Sequence, residues 1–179
     1  MPRNRRPRDR EEKSAEIVAA AATLFTDVGF EKTSLVSVAK AAGVTTTTIY
    51  WYFDSKEALL VAVLDHLLAE ALAGIDEQAE ALLLDRLLWV VDKLEQHAKL
   101  VTTVHALATT SPVVEEWHDG FHALTNDILA DGLRQSGVAE SAVQPKTRLG
   151  VFAIEGLLMH PLPVAERQAV LRLVVDPAS

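Results

Sequence analysis

The amino-acid sequence predicts an all-α protein of about nine helices. Apolar residues recur at spacings of three and four along most of the 179 residues, and few segments show the period of two that a strand requires. Only eight Gly and seven Pro interrupt this pattern. With 49% hydrophobic and 23% charged residues, the composition is typical of a globular chain and too apolar for a disordered one.

The composition also excludes several classes of function. The chain has no Cys, which rules out disulfides, thiolate nucleophiles and cysteine-ligated metal clusters. No uninterrupted run of about 18 apolar residues indicates a membrane span, and the Arg-rich N-terminus lacks the apolar segment of a secretory signal. We therefore expect a cytoplasmic protein without a membrane partner.

The net charge of −8 is unevenly distributed. Residues 1–56 contain nine Lys and Arg against seven Asp and Glu, whereas residues 57–179 contain eight against eighteen. The N-terminal part therefore carries +2 and the remainder −10. Only the N-terminal part is electrostatically suited to a polyanionic partner.

The first two helices follow from apolar periodicity and Gly stop signals. The first is expected over 11–28, with Gly29 as its stop, after a disordered basic arm over 1–10. The second is capped by Thr33 or Ser34 and ends at Gly43.

The third helix completes a helix-turn-helix layout. Thr45 is a favourable N-cap for a helix over 46–52 whose four consecutive Thr and clustered aromatic residues give it poor helix propensity. Ile49 and Phe53 are spaced to anchor it to a core. An outward surface of Thr, Tyr and Trp is costly unless something binds it.

The rest of the chain predicts six further helices. Pro145 is expected in a loop before the eighth helix, and Pro161 and Pro163 separate that helix from the last one. The helices are expected from Lys56 to about residue 73, over 83–94 and 98–109, from Pro112 to near Gly137, over 149–159, and up to about Val175.

The segment from Ser14 to about Leu64 resembles the DNA-binding domain of TetR-family transcriptional repressors. The resemblance implies a helix-turn-helix domain over 11–54 and a ligand-binding and dimerisation domain over 55–179. It further implies a sequence-specific transcriptional regulator, and more specifically a repressor. The matching positions are Ile17, Ala20, Ala21, Leu24, Phe25, Gly29, Thr33, Ser34, Val38, Ala39, Ala42, Gly43, Val44, Ile49, Tyr50, Phe53, Lys56 and Leu59.

A recognition helix reads base edges with its N-terminal residues and contacts the backbone elsewhere. The resemblance implies double-stranded DNA as the partner, and we expect contacts from Thr33, Ser34, Ser37, Thr45, Thr46, Thr47, Thr48, Tyr50, Trp51, Tyr52, Lys56, Arg5 and Arg6. Three alternatives stay open. The Arg arm could be a solubilising tail, Trp51 could pack against a neighbouring helix, and the helix pair could bind protein.

The eighth helix predicts a homodimer. Between Leu149 and Met159 the only charged residue is Glu155, so the helix is apolar on all sides. We expect one side to meet a second copy, which would favour a palindromic operator. The alternative is burial within its own monomer. The expected interface residues are Gly150, Ala153, Gly156, Leu157, Leu171 and Val175.

The resemblance also implies a small-molecule effector that releases the protein from DNA. A mostly apolar lining indicates an apolar or aromatic ligand. The candidate lining residues are Trp89, His105, Trp117, Phe121 and Phe152, with ordinary core packing as the alternative for each.

His118 and His122 are spaced like helical zinc ligands, next to Asp119 and with Glu115 on the same face. The signal is weak, because Asp119 replaces the usual Glu and no third ligand follows from spacing. The alternative function is therefore a small metal-dependent hydrolase. No other catalytic motif is visible, so we expect neither an enzyme nor a cofactor.

Overall fold

A computed structural model describes residues 7–177, with side chains described from residue 10. The described residues form nine helices and no strand, which confirms the predicted all-α class. The helices are α1 (Pro7–Asp27), α2 (Leu35–Ala41), α3 (Thr46–Tyr52), α4 (Lys56–Asp76), α5 (Leu83–Gln96), α6 (Ala98–Ala108), α7 (Pro112–Gln135), α8 (Glu140–Met159) and α9 (Val164–Val175).

Two predicted boundaries were wrong because a Pro lies inside a helix. Helix α1 already begins at Pro7, since Pro is well tolerated in a first turn, so part of the predicted disordered arm is helical. Helix α8 begins at Glu140 and contains Pro145, which was expected in a loop. The carbonyl that loses its helical donor belongs to Ser141, an exposed residue that water can solvate.

The chain divides into two compact units. Unit 1 extends to Glu70 and includes Lys99–Trp117, and unit 2 comprises Ala71–Ala98 and the residues from His118 onward. The predicted division at residue 54 therefore does not follow the compact units. Helix α6 and the start of α7 bury side chains in the N-terminal core, namely Leu100, Val104 and Val114.

Unit 1 is organised around α1. Ile17, Ala21 and Phe25 lie one turn apart on the same face and are fully buried. Phe30, just after the helix, packs edge-on against Phe25 with 5.2 Å between ring centroids. Ile49 of α3 enters the same core, so the short helices are held by the long one.

Helix α4 is long and apolar enough to span a membrane by length and composition alone. One of its faces supplies Leu59, Leu60 and Val63 to the core of unit 1, where all three are fully buried. Packing in that core accounts for this part of its apolar character.

Unit 2 packs α5, α8 and α9 against each other and against the C-terminal half of α7. Leu87 and Val91 of α5, Leu133 of α7, Val143 of α8 and Leu171 of α9 lie in one buried cluster. Polar contacts extend this packing. Arg167 of α9 contacts Asp92 and Glu95 of α5 at 2.9 and 3.0 Å.

A turn between α7 and α8 is held by charge. The guanidinium of Arg134 donates to Asp131 at 2.9 Å and to both carboxylate oxygens of Glu140 at 3.1 Å. The hydrogen bond from Arg134 holds the pKa of Glu140 below its ordinary value.

The buried side chain of Lys146 binds carbonyl groups at the C-terminal end of α9. Lys146 of α8 is 6% exposed, and its ammonium donates to the carbonyls of Leu173 and Val174 at 3.3 Å and to that of Asp176 at 2.8 Å. The last carbonyls of an α-helix accept no hydrogen bond within the helix, and the C-terminal end of a helix attracts a cation.

We predict that Lys146→Met lowers the free energy of unfolding by about 1.5–3 kcal/mol, because it removes charge-assisted hydrogen bonds from three carbonyls at the end of α9, the one to Val174 being buried. Urea unfolding followed by circular dichroism measures the change. Arg148→Met, an exposed position on the same helix, is the control and should cost far less. Equal losses in the two variants would contradict the role of Lys146.

Candidate nucleic-acid interface

The turn that leads into α2 is held by buried backbone contacts. The hydroxyl of Thr33 donates to the carbonyl of Gly29 at 2.8 Å, and Thr33 is only 3% exposed. The prediction that Thr33 contacts a phosphate is therefore wrong for this structure, because its hydroxyl is directed into the protein.

Helix α2 begins with a capping box formed by two Ser residues. The Ser34 hydroxyl accepts from the backbone N–H of Ser37, and the backbone N–H of Ser34 donates to the hydroxyl of Ser37, both at 3.1 Å. Ser34 is exposed and Ser37 half-buried, so both remain at the surface as predicted, with their hydroxyls already used in capping.

The turn between α2 and α3 depends on Gly43. Its φ of +64° lies in the left-handed region that disfavours residues with a Cβ. The next residue, Val44, donates its backbone N–H to the carbonyl of Ala39 at 2.9 Å. This geometry ends α2, and α3 begins at Thr46, two residues after Val44.

Helix α3 has the predicted bounds. Thr45 is its N-cap, and the Thr45 hydroxyl accepts from the backbone N–H of Thr48 at 3.1 Å. Among the residues of α3 only Ile49 is buried, at 0% exposure. The remaining positions are therefore exposed or half-buried.

The exposed positions of α3 lie on one face. Thr47, Tyr50 and Trp51 are separated by three and four residues, and Tyr50 and Trp51 are 56% and 61% exposed. Thr46 and Thr48 flank this face and are half-buried. The structure thus brings five of the residues predicted to contact DNA to the outer side of α3.

Trp51 is held by neighbours without being covered by them. Its ring packs edge-on against Tyr52 at 4.8 Å, and the guanidinium of Arg10 lies 4.7 Å from its centroid. Arg10 thus places a cation beside α3. The sequence analysis did not select Arg10, because residues 1–10 were expected to be disordered. Arg5 and Arg6, the predicted contacts of the arm, lie outside the described residues.

Tyr52 differs from the prediction. Its hydroxyl is buried and has no hydrogen-bond partner, and its ring packs against the core of unit 1. A side chain directed inward cannot place its hydroxyl on a phosphate. Its position three residues after Ile49 could have indicated this, because such residues share a helical face.

Lys56, which is predicted to contact DNA, also makes a contact within the protein. Its ammonium donates to the carbonyl of Phe30 at 2.6 Å and lies 4.0 Å from the Phe30 ring centroid. The contact ties the first turn of α4 to the loop after α1. Lys40, exposed in the last turn of α2, is a further cation of this unit that the sequence analysis did not select.

The predicted dimer residues largely point into unit 2. Leu157 and Leu171 are buried in its core. Gly150 is buried too, and a Cβ at this position would lie 2.7 Å from a methyl group of Leu129. Their assignment to an interface between chains is therefore wrong in this structure, because their neighbours within the unit occupy that space. Ala153 and Val175 are half-buried.

The opposite face of α8 is apolar and exposed. Leu149, Phe152 and Met159 are 49%, 68% and 69% exposed, and Gly156 on the same side has no atom within 4 Å of an added Cβ. We call these four residues the α8 stripe. Phe152, predicted to line a ligand pocket, lies in this stripe.

The other predicted pocket residues each have a defined environment. In unit 1, the Trp117 indole N–H donates to a carboxylate oxygen of Asp65 at 2.8 Å, and His105 is exposed. In unit 2, Trp89 packs against Gly74, and Phe121 is half-buried. Ligand contacts of these residues stay predictions.

The His pair of the alternative hypothesis lies in unit 2. The Nε2 atoms of His118 and His122 are 3.1 Å apart, whereas the side chains of Asp119 and Glu115 are exposed.

The residues of the helix-turn-helix are similar in sequence to known regulatory proteins. A family model for bacterial regulatory proteins of the tetR family matches residues 17–63. The regulator EthR of Mycolicibacterium smegmatis is 36% identical over 72 residues, which cover 40% of this chain and 33% of EthR. RutR of Escherichia coli is 45% identical over 56 residues, 31% of this chain and 26% of RutR. The match thus spans a third or less of these relatives.

Solved structures share the fold over nearly the whole chain. A transcriptional regulator from Saccharomonospora viridis, solved in complex with choline, has a TM-score of 0.75 at 18% identity, covering 93% of this chain and 96% of that one. A TetR regulator from Haloarcula marismortui has a TM-score of 0.71 at 17% identity, covering 94% and 95%.

The capped helix-turn-helix and its exposed α3 face have the geometry of a helix-turn-helix DNA-binding domain. The family model matches these same residues, so this segment of the chain is similar to the N-terminal part of tetR-family regulators. The matched relatives are named as transcriptional regulators, so the comparisons give the hydrolase alternative no support.

We predict that Thr33→Val lowers the free energy of unfolding by about 1–3 kcal/mol, because the partly buried carbonyl of Gly29 loses its hydrogen bond from the buried Thr33. Urea unfolding of the full chain measures the loss. Thr23→Val is the control, since the Thr23 hydroxyl donates to Ala19 on an exposed helical face. A Thr33→Val protein as stable as the control would contradict the structural assignment of this hydroxyl.

Proposed function

We propose that the chain is a cytoplasmic, homodimeric repressor that binds a palindromic operator through α3 and releases it when a small molecule binds. The observation that carries the DNA-binding part is the exposed face of α3. Among the described residues, the neighbours of Tyr50 and Trp51 leave more than half of each of these two residues exposed, although such surface is costly in water. A major groove accepts a helix of this kind.

On this proposal, some residues of the α3 surface contact DNA bases and others contact the DNA backbone. Thr46 and Thr47, near the N-terminal end of α3, meet base edges, where a hydroxyl and a methyl group discriminate less strongly than Arg. Tyr50, Trp51 and Arg10 contact the sugar-phosphate backbone and set the register of the helix. Much of the sequence preference then comes from DNA shape and bridging water.

The proposed homodimer uses the α8 stripe. Its four residues place exposed apolar surface on one side of the helix, and α9 adds the exposed Val164 and Leu173 at 65% and 62%. A second copy would remove this surface from water around a twofold axis. A twofold dimer presents two copies of α3, which is why the operator is proposed to be palindromic.

The effector is proposed to be small and apolar or aromatic. The S. viridis neighbour binds choline, which supports ligand binding by this fold. An effector that prefers a DNA-incompetent conformation weakens DNA binding, and by linkage DNA weakens effector binding by the same factor. Release of the operator is the expected outcome for a repressor.

We predict that Trp51→Ala weakens binding to the operator about tenfold, corresponding to about 1.4 kcal/mol, because the backbone contact of the exposed ring is lost. Fluorescence anisotropy with a labelled duplex from the region upstream of the protein's own gene measures the affinity.

The control is Leu82→Ala, which removes a large apolar side chain that is 74% exposed in unit 2. Thermal unfolding establishes that both variants are folded. The α3 assignment fails if Trp51→Ala and Leu82→Ala bind as tightly as the unmodified protein.

We also predict that Gly156→Glu yields a folded monomer with operator affinity at least about tenfold lower, because carboxylates would meet across the twofold axis. The space around Gly156 is open within the unit, so the substitution leaves the core intact. Light scattering gives the mass and anisotropy the affinity.

Gly120→Glu, at an exposed Gly of α7 where an added Cβ likewise has no atom within 4 Å, is the matched control and should leave the mass and the affinity unchanged. A dimeric Gly156→Glu protein with full affinity would contradict the α8 interface.

A further inference from the structure

We propose that unit 2 carries a binding site for a divalent first-row transition cation of the Zn²⁺ type, formed by His118, His122 and Glu155. The inference concerns metal binding alone and does not depend on the proposed DNA-binding function. It rests on the convergence of two imidazole nitrogens and one carboxylate from two helices.

The two His side chains are positioned by α7. They are four residues apart, so they lie one above the other on one helical face. Their Nε2 atoms are 3.1 Å apart. Two nitrogens bound to one tetrahedral Zn²⁺ at the usual bond length are about 3.3 Å apart, so a cation fits with a small rotation of the rings.

Glu155 of α8 supplies the third donor. Its Oε1 atom lies 3.8 Å from Nε2 of His122. The side chains of His118, His122 and Glu155 are 22%, 26% and 40% exposed, so the donors are partly removed from water while remaining accessible to an ion. The negative charge of Glu155 also attracts a cation to this position.

A second carboxylate orients one ring. The Oδ1 atom of Asp119 lies 3.7 Å from Nδ1 of His118, the ring nitrogen other than the one nearest His122. A negative charge there favours the tautomer with its proton on Nδ1, which directs the Nε2 lone pair towards the ion.

The donor set selects the class of metal. Imidazole nitrogens suit Zn²⁺, Ni²⁺ and Cu²⁺, whereas Mg²⁺ and Ca²⁺ require oxygen ligands. Three protein ligands leave at least one position for water in a tetrahedral site. A bound ion would tie α7 to α8 within unit 2.

The test uses the full chain, freed of any affinity tag and of metal, titrated with Zn²⁺ against a chromophoric chelator. We expect one Zn²⁺ per chain at this site, and affinity at least about tenfold lower in His118→Ala, His122→Gln and Glu155→Gln. Co²⁺ provides a second readout, because its visible absorption reports nitrogen and oxygen ligation directly.

The control pair is His66 and Glu70 on α4, also an i,i+4 pair, with 3.6 Å between imidazole and carboxylate but without a second imidazole. His66→Ala should leave Zn²⁺ affinity and the Co²⁺ spectrum unchanged. Circular dichroism verifies the fold of each variant. The inference is overturned if the unmodified protein binds no Zn²⁺, or if His118→Ala and His122→Gln bind it as tightly as His66→Ala.

Discussion

The burial of Ile49 is the interaction on which the DNA-facing part of the structure depends. Helix α3 has seven residues and a composition with poor helix propensity, so it cannot be stable by itself. Its single fully buried side chain fixes the rotation of the helix about its axis. Because Ile49 points into the core of unit 1, Thr47, Tyr50 and Trp51 must point away from it. The interface is thus a geometric consequence of one apolar contact, supported by the Thr45 cap and the Gly43 turn.

The surroundings of α3 show how structural and binding roles are divided among similar residues. Thr33 and Tyr52 carry the same functional groups as Thr47 and Tyr50, but their hydroxyls are directed into the protein. Lys56 ties two elements together through its ammonium, whereas Arg10 brings its charge to the ring of Trp51. A hydroxyl or a cation near a recognition helix is therefore available for DNA only where the core does not already use it.

Unit 2 follows the same logic on α8, where Glu155 is the only charged residue between Leu149 and Met159. Successive residues of α8 are rotated by about 100°, so adjacent apolar residues can have opposite environments. Gly150 and Leu157 complete the core of the unit, while Phe152 and Gly156 are exposed on the other side. The same helix brings Glu155 to the imidazoles of α7. One sequence pattern thus serves a core, an outer apolar stripe and a cluster of metal-ligating groups.

The sequence by itself determined the helical class, the limits of α3 and the helix-turn-helix, because caps, Gly stops and apolar spacing are local signals. It could not determine which side of α8 faces inward, because an evenly apolar helix has no preferred rotation until its neighbours are in place. The local rule that Pro interrupts a helix did not predict that α1 begins at Pro7 or that α8 contains Pro145, because both positions tolerate Pro. Two contacts join residues that are distant in sequence, namely Arg10 with Trp51 and His122 with Glu155. The inward orientation of Thr33 depends on the packing around it. Only the tertiary structure decided these, since burial and distance are properties of the packed chain.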